Sequence, residues 1–180
     1  EAGLMLFERG ARFVLGDPHP TVFTEGFAAG ALGDRGLRRL LLNRRWRLLG
    51  VEALEDLDKR GRRDLASECE AVFYDYPGNR TIHVTGPAGG GGPFAIRESN
   101  AQPTSTSQEF QEAAALVAAH PHWGHLLQQK AVRTYEPMPP ILQPLGDEKV
   151  ERTVYVGLFS RERKFNRIVP VNMVRYVAGD

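Results

Sequence analysis

The sequence predicts a mainly antiparallel α+β chain whose second half is one well-marked helix followed by a β-meander. Three observations carry this reading. Thr106 and Glu109 form a capping box ahead of an apolar helical stripe. Pro77-Gly78-Asn79 is a strong turn signal between two runs of strand-forming residues. Val154, Val156 and Leu158 alternate with period two along Arg152 to Phe159.

In the first half, the apolar runs from Leu4 to Leu15 around Glu8-Arg9-Gly10 predict a short hairpin, and Asp17-Pro18-His19-Pro20 a rigid turn. Thr24-Glu25 can open a helix, but Gly26, Gly30, Gly33 and Gly36 weaken it, each by about 1 kcal/mol against alanine. Leu37 to Leu42 is the better helical stretch. Trp46 to Leu54 fits a strand or a continuation of that helix, and Leu57 to Arg63 a solvated loop. Glu70 to Tyr76 and Arg80 to Thr85 form a hairpin, with Ile82 and Val84 on one face and Thr81, His83 and Thr85 on the other. Gly86 to Pro93 lacks the lysine of a phosphate loop and reads as a flexible linker. The expected organisation is a first unit over 1–86, a glycine-rich linker over 87–101 and a second unit over 102–180.

In the second half, Phe110, Ala113, Ala114 and Val117 make the stripe of the helix, and His120-Pro121 ends it. Leu126 to Tyr135 reads as a strand stopped by Pro137-Met138-Pro139-Pro140. Arg152 to Phe159 is the next strand, Ser160 to Lys164 a charged turn, and Phe165 to Val177 a long final strand with Val169, Val171 and Met173 on one face. Pro170 removes a ladder donor, so that strand is expected at an edge or with a bulge. The first half allows the same plan, a weak helix and then strands near Trp46, Glu70 and Arg80.

The totals exclude several function classes. A hydrophobic content of 42% supports a real core, and a net charge of +1 implies no general attraction to nucleic acid or membrane. No run of about 18 apolar residues is present, so no transmembrane helix is expected. The chain begins at Glu1, so a processed, trimmed or partial chain is expected, and the compartment, cytoplasmic or extracytoplasmic, stays open. Asn79-Arg80-Thr81 has the N-glycosylation form, but the Gly, Ala and Arg content points to a bacterial chain. Cys69 is the one cysteine, so neither an internal disulfide nor a Cys-rich zinc site forms. Flanked by Glu68 and Glu70, its pKa is expected to rise, which suits a structural thiol and not a nucleophile.

The run from Gln102 to Val177 carries a family pattern: the opening Gln102-Pro103-Thr104, the Glu109 helix with its alanine-rich stripe, the His120-Pro121 stop, the Arg152 to Phe159 strand, and Ile168-Val169-Pro170-Val171-Asn172-Met173 at the close. This resembles the small N-terminal domains of copper amine oxidases. The resemblance implies a helix on a curved antiparallel sheet, as in cystatins, with two such units in tandem if the first half repeats the plan. That family's quinone arises from the tyrosine of a Thr-x-x-Asn-Tyr sequence, which this chain lacks, and the chain is too short to hold the catalytic domain with its copper ligands. The resemblance therefore implies an accessory module without cofactor, not the oxidase.

Three functional readings follow. The first is a non-catalytic interaction domain, meeting a protein partner or a second copy through its sheet face or the edge at Pro170. The second is a metal protein or enzyme using His120, His122 and His125, whose clustered imidazoles suit zinc, copper or nickel, against a helix-end role with Trp123 as a core plug. The third is anion or nucleic-acid binding through Arg35, Arg38, Arg39, Arg44, Arg45 and Arg47 around Trp46, with Arg44, Arg45 and Trp46 as contacts, against a solvated helix face. The Tyr74-Asp75-Tyr76 and Tyr135-Glu136 pairs fit sheet packing better than acid–base chemistry.

Overall fold

The computed structural model describes residues 7–8, 11–12, 22–54, 67–138, 150–160 and 165–179. The turn at Asp17-Pro18-His19-Pro20, the loop over 57–63, Pro139-Pro140 and residues 161–164 of the charged turn lie outside them. The chain is mixed α+β and splits into two compact units, Glu1–Ala101 and Gln102–Asp180.

The first unit opens with β1 (Phe7–Glu8) and β2 (Ala11–Arg12), which pair as the expected hairpin. Helices α1 (Val22–Gly33) and α2 (Arg35–Leu41) follow, then β3 (Trp46–Leu54), β4 (Glu68–Asp75), β5 (Arg80–Pro87) and β6 (Ala95–Ser99). The four strands form one antiparallel sheet in chain order. Asp34 caps α2, its carboxylate accepting from the Gly36 and Leu37 N–H groups at 2.7 and 3.0 Å. Such a cap is worth about 1 kcal/mol.

The helices cover one sheet face. Phe27, Ala31, Leu37, Leu48, Phe73, Ile82 and Val84 are sealed in the core between them. Each large apolar side chain contributes about 1.5–3 kcal/mol there. Trp46 meets Phe73 edge-on at 5.8 Å. A register shift between Leu48 and Gly50 changes the phase of β3, so Trp46 and Leu48, and then Val51, all turn to the core.

The glycine-rich run is not a linker. It joins β5 to β6 inside the first unit, and the units divide after Ala101. Its missing side chains let it lie against α1. A Cβ on Gly30 would overlap the Gly90 carbonyl oxygen, and Gly90 itself has φ +73°. Ala88 is buried, and Phe94 reaches Phe27 edge-on at 5.6 Å. The helix α1 therefore tolerates its glycines because one of them is where another backbone seats.

The second unit contains α3 (Ser107–Ala119), α4 (Pro121–Gln128), β7 (Arg133–Tyr135), β8 (Thr153–Phe159), β9 (Arg167–Asn172) and β10 (Val177–Ala178). Its antiparallel sheet also runs in chain order, β7-β8-β9-β10. The capping box at Thr106 and Glu109 is present as expected. Ala113 and Val117 face the sheet, where Val154, Val156 and Leu158 lie opposite or beside Val171 and Val169. The deepest residue of the first turn is Glu109 itself, fully buried and held by Arg152.

Two strand expectations are corrected. Leu126 to Gln128 is helix, not strand, because Pro121 stands at the first helical position, where its fixed φ and absent N–H start a helix. His120 caps the end of α3 and the beginning of α4 at once. The long final strand breaks after Asn172, whose side-chain oxygen accepts from the Val174 and Arg175 N–H groups at 3.0 and 2.9 Å and closes a turn. Pro170 is consequently not on an edge. It sits in β9 between β8 and the two-residue β10, and its carbonyl accepts from Gly179 at 2.8 Å. Its missing donor falls on that side, where the ladder runs out.

Candidate functional site

The residues singled out from sequence do not converge. His122 and His125 are exposed on α4, and His120 is at the cap. The His122 ring packs edge-on against Trp123 at 4.5 Å. Among the described residues no group of three His, Cys, Asp or Glu side chains is placed to hold a metal ion. Trp123 is the core plug anticipated from the sequence, 8% exposed, with its indole N–H donating to the Gly179 carbonyl at 3.0 Å.

Within the arginine cluster Arg44 and Arg45 are engaged internally, whereas Arg35, Arg38 and Arg39 are exposed on α2. Arg44 Nη1 donates to Asp75 Oδ2 at 2.8 Å, and Arg80 Nε donates to the same oxygen at 2.9 Å. Asp75 is fully buried and also accepts from the Gly78 N–H at 3.2 Å. The Arg45 guanidinium lies over the Tyr76 ring, 4.2 Å from its centroid, and Trp46 is in the core. Of the residues expected as a phosphate-gripping surface, Arg44 and Arg45 contact the β4–β5 turn.

On the face of the first sheet opposite α1 and α2, Glu70, His83 and Ser99 stand in a diagonal row across β4, β5 and β6. Ser99 Oγ is 3.4 Å from His83 Nε2, and His83 Nδ1 is 3.2 Å from Glu70 Oε1 but off-line for a hydrogen bond. The seryl contact is at the long limit of hydrogen bonding, so the row ties strands together without the geometry of an activated nucleophile.

The arrangement with most binding character is in the second unit. Its helix packs on one sheet face, and the register places another set of apolar side chains on the opposite face. Tyr135, Gly157 and Ile168 stand in one cross-strand row, and Tyr155 is opposite Pro170 in the next. Phe159 and Val177 extend the patch. Tyr135, Phe159, Ile168 and Val177 are 41–52% exposed, far more than side chains of a core. The Tyr135 ring lies across Gly157, where a Cβ would overlap it. Both edges are blunt: β7 has three residues and β10 two. Strand addition is thus disfavoured and the face is the available surface.

At the β7 end the patch runs into a cleft of about 750 Å³ lined by Leu127, Phe159 and Phe165, with Lys130 and Arg133 beside them. The Arg133 guanidinium is 5.7 Å from the Phe159 ring centroid. Lys130 has φ +57°. It occupies the first position past the Gln129 cap of α4, with the Lys130 N–H donating to the Leu127 carbonyl and the Ala131 N–H to the Leu126 carbonyl, both at 3.0 Å. That is the Schellman pattern, in which glycine is the usual occupant. At the other end, Arg175 and Asn172 hydrogen-bond Glu151 and hold its carboxyl below the ordinary carboxylate value.

Sequence reasoning assigned Tyr135 to sheet packing and did not single out Phe159, Ile168 or Lys130 as surface contacts. A signal was present: Phe159 and Ile168 are apolar residues out of phase with the core-facing valines of their strands, which marks a strand that is apolar on both faces. Among the described residues no helix is long and apolar enough to cross a membrane. No protein-family model matches the chain, and the search of curated proteins finds no match.

Proposed function

We propose that the chain is a non-catalytic interaction module, built from two helix-on-sheet units of the kind the resemblance to amine oxidase N-terminal domains implies, and that the second unit docks a protein partner on its outward sheet face. The shared element order supports the tandem reading: each unit runs two helices and then a four-stranded meander. The observation that carries the docking reading is that Tyr135, Phe159, Ile168 and Val177 are all exposed on the sheet face opposite the one covered by α3.

The occupant is an apolar protein surface bordered by carboxylates. Lys130 and Arg133 are exposed along one border of the patch, so an acidic partner gains there and a second copy brings like charge. Selection of peptides from a random display library on the immobilised full chain tests this. Acidic–apolar sequences should be enriched, and the enrichment should vanish with Ile168→Asp/Val177→Asp, exposed positions where stability should move by no more than about 0.5 kcal/mol. A consensus that survives that double substitution, or the absence of one, sinks the reading. Sedimentation showing a dimer that the same substitutions dissolve would assign the face to a second copy instead.

A further inference from the structure

Beyond the docking face, we propose that the cleft at the end of β7 is a ligand site for an aromatic carboxylate. Its volume of about 750 Å³ is within the range of small-molecule sites. Leu127, Phe159 and Phe165 offer an apolar lining to a ring, and Lys130 and Arg133 offer two cations to an acid group. Aromatic walls with a few placed charges bind amphiphilic ligands by burying the body and pairing the head.

Lys130 supplies the second, independent observation. A side chain in the left-handed region costs about 1 kcal/mol or more relative to glycine. The helix stop formed by the Leu126 and Leu127 carbonyls needs that conformation but no lysine. A strained residue that stability alone would replace, with its cationic side chain at the lining of a cleft, points to a role in binding. Of the other non-glycine residues with positive φ, Asn43 and Asn79 adopt it readily and Tyr176 shares it at +61°; Lys130 is the one of the four that lines the cleft.

The test is titration of the full chain with 1-naphthylacetate and with the neutral 1-naphthylacetamide, followed by calorimetry and by backbone NMR shifts of Lys130 to Thr134. The acid should bind and the amide should be weaker by about tenfold, the usual worth of one charge-assisted pair. Arg133→Gln should lose a similar factor, and high salt should weaken the acid alone. Lys130→Gly is the decisive variant: affinity for the acid should fall while the melting temperature rises, a split that a purely structural lysine cannot produce. A peptide ending in a free C-terminal phenylalanine, with its amidated twin, separates the two sources of such a group. Tighter binding of the free-ended peptide than of naphthylacetate assigns the site to a chain terminus, and the reverse to a free acid. Equal affinity for acid and amide, no saturable binding at millimolar acid, or affinity unchanged in both Arg133→Gln and Lys130→Gly overturns the assignment. Ile168 and Val177 do not line the cleft, so the docking face and this site fail separately.

Discussion

Arg152 and Glu109, 43 residues apart in sequence, form a buried bidentate pair: Nε donates to Oε1 and Nη2 to Oε2, both at 2.6 Å. Arg152 Nη1 also donates to the Pro103 carbonyl at 2.9 Å, and Glu109 accepts from the Thr106 N–H at 3.1 Å. One pair thereby joins the start of β8, the first turn of α3 and the chain leading into it. Removing one partner leaves the other charge buried. Glu109→Ala or Arg152→Ala should each cost about 3–5 kcal/mol, and Thr106→Ala only about 1 kcal/mol. The double variant Glu109→Leu/Arg152→Met should cost well below the sum of the single losses. Urea unfolding followed through Trp123, in a Trp46→Phe background so that the second unit alone reports, measures this. Simple additivity would show that the two residues act apart.

The approach of Gly90 to Gly30 makes opposite predictions for two glycines one turn apart in α1. At Gly30 a Cβ would overlap the Gly90 carbonyl oxygen, backbone that cannot swing aside, whereas at Gly26 nothing stands within 4 Å of a Cβ. Gly26→Ala should stabilise the first unit by up to about 1 kcal/mol through helix propensity. Gly30→Ala should destabilise it by about 1–3 kcal/mol, as overpacking does. Thermal melts of the two variants decide it; a Gly30→Ala chain as stable as the parent would mean that the β5–β6 loop does not seat on the helix.

These two relationships show where sequence reading succeeds and where it stops. Local signals were sufficient for the α3 capping box, the β4–β5 hairpin with its turn at Pro77-Gly78-Asn79, and the alternation of β8, because each rests on residues a few positions apart. The glycine-rich run misled because composition registers missing side chains but not the surface they lie against. Leu126 to Gln128 looked like strand because the apolar pattern is too short to separate the two periods. Glu109 was visible as a cap, but its burial depends on Arg152, and no local pattern connects them. The outward apolar face escaped for the same reason: Tyr135, Gly157 and Ile168 become neighbours only through strand register.

Asp75 concentrates the charge of the first unit at one point. It is fully buried, whereas the Arg44 side chain is 39% exposed and that of Arg80 24% exposed. Arg80 extends the network to Glu98 on β6. Loss of either arginine leaves the carboxylate one cation, so Arg44→Ala should cost about 1 kcal/mol or less, in keeping with a partly solvated pair. Asp75→Ala removes the carboxylate shared by Arg44, Arg80 and the Gly78 N–H, leaving Arg80 with Glu98 and Arg44 partly in solvent, and should cost about 2 kcal/mol. Denaturant midpoints of the two variants should differ accordingly. A larger loss from Arg44→Ala than from Asp75→Ala would place the energetic weight on the arginine's other contacts.

Cys69 gives the chain a pH dependence whose sign follows from burial. The strand pleat turns Cys69 into the core beside Ala71 and Phe73, leaving Glu68 exposed and Glu70 half-buried on the opposite face. The thiol pKa is raised, as the sequence led one to expect, but the cause is burial and not the flanking carboxylates. The unfolded chain releases its thiol proton near the ordinary value of about 8.5, while the folded chain keeps it to higher pH. This contribution to stability is therefore full below about pH 8.5 and is lost as pH rises toward the folded-state pKa, by at most about 1.4 kcal/mol per pH unit. Other groups titrate in the same range, so the informative quantity is the difference between the parent and Cys69→Ala. Between pH 7.5 and pH 10 the parent should lose more of its urea midpoint than the variant, and the native thiol should react with a disulfide reagent far more slowly than the urea-unfolded one. Equal losses together with rapid native labelling would mean that the thiol is open to solvent and that β4 does not seal it beneath the two helices.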